Sequence, residues 1–414
     1  MTLFDYLHKY FKNGEIGDFE GKTVDIVTHF LDKFGVDVKQ ENNLWLFKYD
    51  QLAARWSFPI THECRGAILR YKNNSWKFIC RPFDKFFNQH ESYCPLVEEE
   101  TFKNLCNQLA FVEKADGSMI SLWFDDVKNK WRASTGGTIS PTNVGDYDIT
   151  FDNLFFQTLG LEAEKLIGVL DKDYTYIHEL CCGENQIVTR YPKNKIFLLG
   201  IRHNEYGTYS DIHTQENSVL SLVEIGGEMS LPHRINFPYI DVKSLEDAKA
   251  YVESQSLNFE QFGEYPEGFI VYDGFKPLCK MKNSRYLQLH SFSGGDIGHT
   301  RNKVIEAFFT GTLDDYYDML TDRMKEFADS LKDKVLEQYH IMSKVSGYFV
   351  GKQFETQKDY ALTVIKHVDK AFHGFFFSEK EHIINEHTDL QDLFRKWICK
   401  NYSRFEDYWK GKTK

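Results

Sequence analysis

Lys114 stands in the stretch FVEKADGSMISLWF, residues 111–124, where apolar, β-prone runs flank a short ADGS segment. That pattern predicts a hairpin with the lysine at the lip of its first strand. A lysine amine is a nucleophile only after losing its proton, and burial beside other cations favours that loss. The chemistry suggested is attack of Lys114 Nζ on a phosphorus atom. Asp116 would bond backbone to set the turn, and Gly117 would supply a positive φ or let a ligand approach the backbone. A Lys-x-Asp-Gly string arises by chance in roughly one chain in ten of this length, so its neighbours must carry the argument.

Four further stretches set polar groups in apolar, strand-like surroundings. In Glu63-Cys64-Arg65-Gly66 an arginine opens a strand, either to clamp a phosphate or sugar or to pair with an acidic neighbour. In Arg81-Pro-Phe-Asp-Lys-Phe-Phe-Asn88, Lys85 can approach phosphates while Phe86 or Phe87 stacks on a base; packing in the core is the commoner use of such rings. His178-Glu179-Leu180 ends a strand with a carboxylate. Glu267-Gly268 precedes Lys280-Met281-Lys282, whose two lysines share one face of a strand. Paired ammonium groups are costly unless an anion lies between them, so they form either a solvated strand face or a grip on a nucleotide triphosphate. In the second case they would also depress the pKa of Lys114. Glu179 and Glu267 suit a divalent metal or a ribose hydroxyl.

The elements that must position these groups are mostly strands. Residues 1–40 have helix-like spacing broken by glycines; from Asn43 strands follow, with Lys72-Asn73-Asn74 as a hairpin turn. Helical patterns occupy 96–109 and 151–170, a strand 130–135, and further strands YTYIHEL, QIVTRY, KIFLLGIR, EGFIVYDG and PLCKMK. After His290 a glycine- and serine-rich hinge gives way to amphipathic helical segments at 313–349, 355–376 and 388–409. The expected organisation is α+β, with a catalytic domain over 1–292 and an all-helical domain over 293–414.

Composition bounds the rest. The 414 residues are 42% hydrophobic, 27% charged and 16% aromatic, enough for two domains with proper cores. A net charge of −11 argues against general polyanion binding, so any nucleic acid must meet a local patch. Nearly all the acidic excess lies before residue 291, which suits metal-dependent phosphate chemistry. The eight cysteines show no Cys-x-x-Cys pair and read as reduced, buried thiols. No apolar run approaches membrane-spanning length and the N-terminus lacks a signal-peptide pattern, so a cytosolic enzyme is expected, in the host cytoplasm if viral.

Taken in order, KADG, HEL, KIFLLGIR, EGF and KMK resemble motifs I, III, IIIa, IV and V of the covalent nucleotidyltransferases, the ATP-dependent DNA and RNA ligases and mRNA capping enzymes. Within that superfamily ECRGAIL, RPFDKFFN, HELCCGENQIVTRY and KMKNSRYLQLHS are similar to the T-even bacteriophage RNA ligase 1 type, from about residue 40 to 292. The resemblance implies a nucleotidyltransferase (adenylation) domain of antiparallel sheets with flanking helices. It implies that Lys114 takes AMP from ATP and that the backbone of Glu113 lies near adenine. Arg65 and Lys85 would contact phosphates or ribose, with Phe87 near the base and Gly117 by the ribose. Glu179 would serve ribose or metal, and Glu267 metal and catalysis. Lys280 and Lys282 would grip the α-phosphate and the leaving pyrophosphate, with Mg²⁺ (or Mn²⁺) present. The implied substrate is RNA with 5′-phosphate and 3′-hydroxyl ends, including cleaved tRNA; a kinase-phosphatase is the implied partner and the helical domain an RNA-specificity module.

The family carries a lysine after motif I where this chain reads Arg132-Ala133-Ser134-Thr135-Gly136-Gly137, with Arg132 as the candidate substitute. Two rivals remain from the sequence. A DNA ligase or capping enzyme would share the motifs but usually has a β-rich OB-fold after motif V. A non-catalytic RNA-binding protein would leave the lysine pair unexplained.

Overall fold

The computed structural model describes residues 1–287 and 322–401, apart from 51–52, 146, 186–188, 190, 213–222, 224, 256–266, 285, 347, 350, 385–392 and 399. The chain forms two compact units, Met1–Leu287 and Gln288–Lys414. The expected boundary near 292 and most of the expected strand QIVTRY lie outside the described residues.

The first unit begins with helix α1 (Leu3–Tyr10), the strands β1 (Ile16–Phe19) and β2 (Lys22–Asp25), and helix α2 (Ile26–Phe34). Helix-like spacing over 1–40 therefore resolves into two short helices around a hairpin. Thr2 and Asp5 cap α1 reciprocally, and Gly35 ends α2 at φ +64°, a left-handed conformation that glycine adopts without steric cost. Strands β3 (Val36–Glu41) and β4 (Leu44–Tyr49), helix α3 (Pro59–Glu63), and strands β5 (Arg65–Lys72) and β6 (Ser75–Cys80) follow; the four strands form a sheet in the order β3-β4-β5-β6. Asn73 and Asn74, both at positive φ, make the tight turn between β5 and β6 as expected.

Next come β7 (Phe87–Asn88), α4 (Glu99–Leu105), β8 (Leu109–Glu113), β9 (Ser118–Asp125), β10 (Lys130–Thr135) and α5 (Phe151–Leu159). Helix α5 is shorter than its pattern suggested, because Gly160 caps it at φ +73° and only a 3-10 turn follows at Ala163–Leu166. The remaining elements are β11 (Tyr174–Cys181), β12 (Lys195–His203), β13 (Tyr209–Ser210), β14 (Arg234–Asn236), α6 (Leu245–Gln255), β15 (Gly268–Asp273) and β16 (Lys276–Lys282).

These strands build two five-stranded sheets, β10-β9-β11-β12-β13 and β14-β8-β15-β16-β7. The expected ADGS hairpin is thereby overturned, since β8 and β9 belong to different sheets. Each prefers another partner: β8 pairs with β15, and β9 with β10 and β11. Apolar flanks fit a crossing between stacked sheets as well as a hairpin, and pairing partners distant in sequence decide which forms. Val112 and Ile270 of one sheet meet Ile177 of the other, with Phe83 and Phe86 filling the seam. Lys114 stands at the crossing point.

In the second unit, α7 (Asp322–Ser346), α8 (Gln357–His367), α9 (His373–Ser378) and α10 (Lys380–Ile384) contribute to one apolar core that includes Val335, Tyr360, Phe375, Phe376 and Trp397. No helix among the described residues is long and apolar enough to cross a membrane.

Candidate active site

The register of three strands assembles the centre of the site. Phe269 of β15 pairs with Glu113, and Gly268 pairs with Lys282 of β16. The Lys114 amide continues the ladder by donating to the Gly268 carbonyl at 3.0 Å. Glu267, the residue before β15, is consequently set between two lysines: Nζ of Lys114 donates to Glu267 Oε2, and Nζ of Lys282 lies 2.7 Å from Oε1. Gly268 holds φ +136°, and a Cβ there would meet the Met281 carbonyl oxygen at 2.2 Å. The Glu-Gly pair thus has a steric basis as well as a chemical one.

Electrostatics correct one expectation. Burial alone would lower the pKa of Lys114, but Glu267, Glu179 and Asp116 outweigh it and hold the amine above its usual value. The lysine pair does not free the nucleophile, because Glu267 stands between Lys114 and Lys282. The depressed amine is Lys280, lowered to about 7 by burial and then by Lys85, Arg65, Lys114 and Lys282. Lys280 and Lys282 do share one face of β16, as their spacing predicts. Glu179, on β11, is raised to about 7: burial raises it most, Glu267 and Asp116 add, and Lys114 and Arg65 oppose. The preceding His178 points into the opposite core, edge-on to Phe155 at 5.1 Å, and burial lowers it to about 3.

Arg65 opens β5 as expected and is held by the Asp84 carbonyl, which accepts from Nη1 at 3.4 Å, and by the Phe86 ring at 4.6 Å. Lys85 lies between 5.2 and 5.4 Å from the rings of Tyr49, Trp56 and Phe87, and burial followed by Arg65 lowers its pKa. Phe87 is buried, with Lys85 over its ring. It shares the face of β7 that packs with Cys279 in the core and meets Trp56 edge-on at 5.3 Å. Phe86 lies 5.9 Å from Lys280 Nζ as well as close to Arg65.

Other expected contacts resolve differently. The Glu113 amide donates to the His233 carbonyl at 2.8 Å, which leaves its carbonyl as the backbone group that could meet a base. Gly117 has no positive φ; a Cβ there would strike the Leu180 carbonyl oxygen at 2.3 Å, so its lack of a side chain lets β11 approach. Asp116 sets no local turn and instead accepts from Tyr286 OH and the Thr189 amide, each at 2.7 Å. Arg132 is no substitute for the family lysine: its guanidinium donates to Asp125 and the Ile139 carbonyl and stacks on Trp123.

Sequence reasoning missed two supports. Arg202, which ends KIFLLGIR, grips both carboxylate oxygens of Asp84 at 2.8 and 2.9 Å and fixes the segment bearing Lys85. Tyr286 anchors Asp116, and its presence in KMKNSRYLQLHS was the available signal.

Among the described residues no three His, Cys, Asp or Glu side chains gather to hold a metal. Glu179 and Glu267 nevertheless fit a hard divalent cation that takes its remaining ligands from phosphates and water, as Mg²⁺ and Mn²⁺ commonly do. Burial, with Glu267 and Asp116 adding, raises the Glu179 carboxyl, and a cation bound there would oppose that shift. Lys280, Lys282, Arg65 and Lys85 around Lys114 suit the polyphosphate of a nucleotide.

Residues 63–287 match a family model described as RNA ligase. A putative bifunctional polynucleotide kinase/RNA ligase of Autographa californica nuclear polyhedrosis virus is 27% identical over 343 residues, covering 79% of this chain and 45% of that protein. An RNA ligase of Rhodothermus phage RM378 is 25% identical over 401 residues, covering 84% of this chain and 88% of its own. Among solved structures, an archaeal ATP-dependent RNA ligase is 13% identical with a TM-score of 0.41, covering 77% of this chain and 78% of that one. This chain thus spans less than half of the baculovirus protein and most of the phage protein. The matched region covers more than half of the chain and runs from before Arg65 to beyond Lys282, so the protein belongs to the T4-type RNA ligase family.

Proposed function

We propose that the protein joins a 5′-phosphate RNA end to a 3′-hydroxyl end in three steps. Lys114 Nζ attacks the α-phosphorus of ATP; an N–P bond forms, the bond to the β-phosphate oxygen breaks, and pyrophosphate leaves. The AMP passes to the RNA 5′-phosphate, giving a 5′–5′ diphosphate-linked adenylate. The 3′-hydroxyl then attacks the RNA phosphorus, the phosphodiester forms, and AMP leaves. The observation that carries this reading is the Lys114–Glu267–Lys282 string, in which the nucleophile is already bonded to a proton acceptor beside a cation.

Glu267 receives the Lys114 proton, and Lys280 and Lys282 hold the phosphate charge. Glu179 and Glu267 would hold Mg²⁺ or Mn²⁺, which when bound neutralises phosphate charge. Phe86 and Arg65 line the nucleotide side of the seam. The bifunctional name of the baculovirus relative supports a functional link to end-processing kinase chemistry, and hence to RNA repair. The helical unit after residue 288 is proposed to choose the RNA, with cleaved tRNA among the substrates.

Incubation with α-labelled ATP and Mg²⁺ should label the wild-type protein covalently and leave Lys114→Ala unlabelled. A labelled Lys114→Ala variant would refute this nucleophile. Sealing of 5′-phosphorylated single-stranded RNA, compared with a nicked DNA duplex and a cleaved tRNA anticodon loop, then tests the substrate.

A further inference from the structure

Outside the Lys114 pocket, two lysines from neighbouring strands converge on one glycine turn. Lys39 of β3 pairs in register with Leu46 of β4, and Lys48 lies two residues beyond Leu46. The shared face is apolar where Leu44, Leu46 and Ile68 pack with Trp123 and Ile139. Past that apolar patch both side chains reach Thr135-Gly136-Gly137-Thr138. Lys39 Nζ donates to the Gly137 carbonyl at 3.1 Å. Lys48 Nζ lies over the same residue, so close that a Cβ on Gly137 would stand 3.2 Å from it. Lys48 is exposed, and among the described residues neither lysine has a carboxylate within salt-bridge distance.

This turn is continuous with the pocket. Gly136 packs so closely on the start of β5 that a Cβ on Gly66 would lie 2.6 Å from its Cα. On its other side it approaches Met119, which pairs with Glu179 across β9 and β11. Lys48 is itself the register partner of Arg65. A double glycine without side chains, with the Lys48 ammonium close to one glycine and the Arg65 backbone packed against the other, makes a surface on which phosphate oxygens can be bound at short range.

We propose that Lys48, with Lys39 fixing the Gly137 carbonyl beneath it, binds a phosphate group beyond the one Lys114 attacks. This inference rests on the ligase reading. Two sources share that chemistry, the outer phosphates of ATP and the 5′-phosphate of the RNA. It gives the chain its cation at this turn from β4, where Arg132 on β10 is engaged elsewhere.

The test uses full-length Lys48→Ala and Lys48→Arg proteins, with Lys77→Ala as an exposed control on β6. One arm measures the rate of Lys114 labelling against ATP concentration. The other measures AMP transfer from pre-labelled protein against the concentration of 5′-phosphate RNA. Lys48→Ala should raise the half-saturating concentration about tenfold in one arm, leaving the saturating rate within about twofold, and Lys48→Arg should recover most of the loss. The arm affected identifies the phosphate. Unchanged half-saturation in both arms overturns the proposal, as does an equal fall of both saturating rates, which would mark Lys48 as a prop for the turn. Failure of the wild type to label would instead sink the ligase reading, and this inference with it.

Discussion

Lys114 enters the cycle protonated, because three carboxylates outweigh the burial that would strip its proton. A base must therefore be at hand, and Glu267 is bonded to it. Glu267→Gln keeps the shape of that contact but removes the acceptor, so the labelling rate with α-labelled ATP should fall at least about a hundredfold. Glu179 gives a stability signature. Its carboxyl ionises near 4.5 when unfolded and about 7 when folded, so the folded state holds the extra proton. The stability this brings is complete below the unfolded value and is lost as the pH rises through 7. Thermal melts should show Glu179→Gln more stable than wild type at pH 8 and level with it near pH 4.5. An advantage that does not change with pH would contradict the assignment.

At the scale of elements, strand alternation separates neighbours that a sequence places together. Phe86, just before β7, packs in the seam with Arg65 over its ring, and Phe87, which opens β7, packs beside Cys279 with Lys85 over its ring. Phe87→Ala should lose about 3–5 kcal/mol in denaturant unfolding, as truncating a buried ring does. Phe86→Leu should fold nearly as well yet need more ATP for labelling. On β16, Lys280 has a folded pKa of about 7 against a usual 10.5, so between those values the folded protein without nucleotide lacks a proton that the unfolded chain carries. Phosphate binding should restore it. Calorimetric titration with ATP near pH 8, in buffers of different ionisation enthalpy, should report proton uptake in wild type and less in Lys280→Met. The Arg202–Asp84 clamp works at the same scale, joining β12 to the segment that carries Lys85. The buried Arg202 guanidinium also donates to the Pro82 and Gly207 carbonyls, which is how a charged group is accommodated near the end of an otherwise apolar strand.

For the molecule as a whole, all the residues of the site lie in the first unit. A chain ending after Leu287 keeps Tyr286 and its bond to Asp116, and should still label at Lys114 while losing preference among RNA substrates; loss of labelling would tie the second unit to the chemistry itself. The sequence by itself determined the chemical inventory: a lysine before Asp-Gly, two carboxylates, an alternating lysine pair and strand-rich surroundings, in an order that pointed to RNA ligases. Local patterning also set the Asn73-Asn74 turn and the shared face of Lys280 and Lys282, since both depend on residues near in sequence. Only the tertiary structure decided that the Lys114 segment crosses between sheets, that Phe86 lies under Arg65 while Phe87 packs beside Cys279, and that Arg132 is spent on Asp125. Those outcomes depend on which distant strands pair and in what register. The charge of Lys114 depends on the same thing, because an amine's proton is governed by the nearest carboxylates in space and Glu267 comes from 153 residues away.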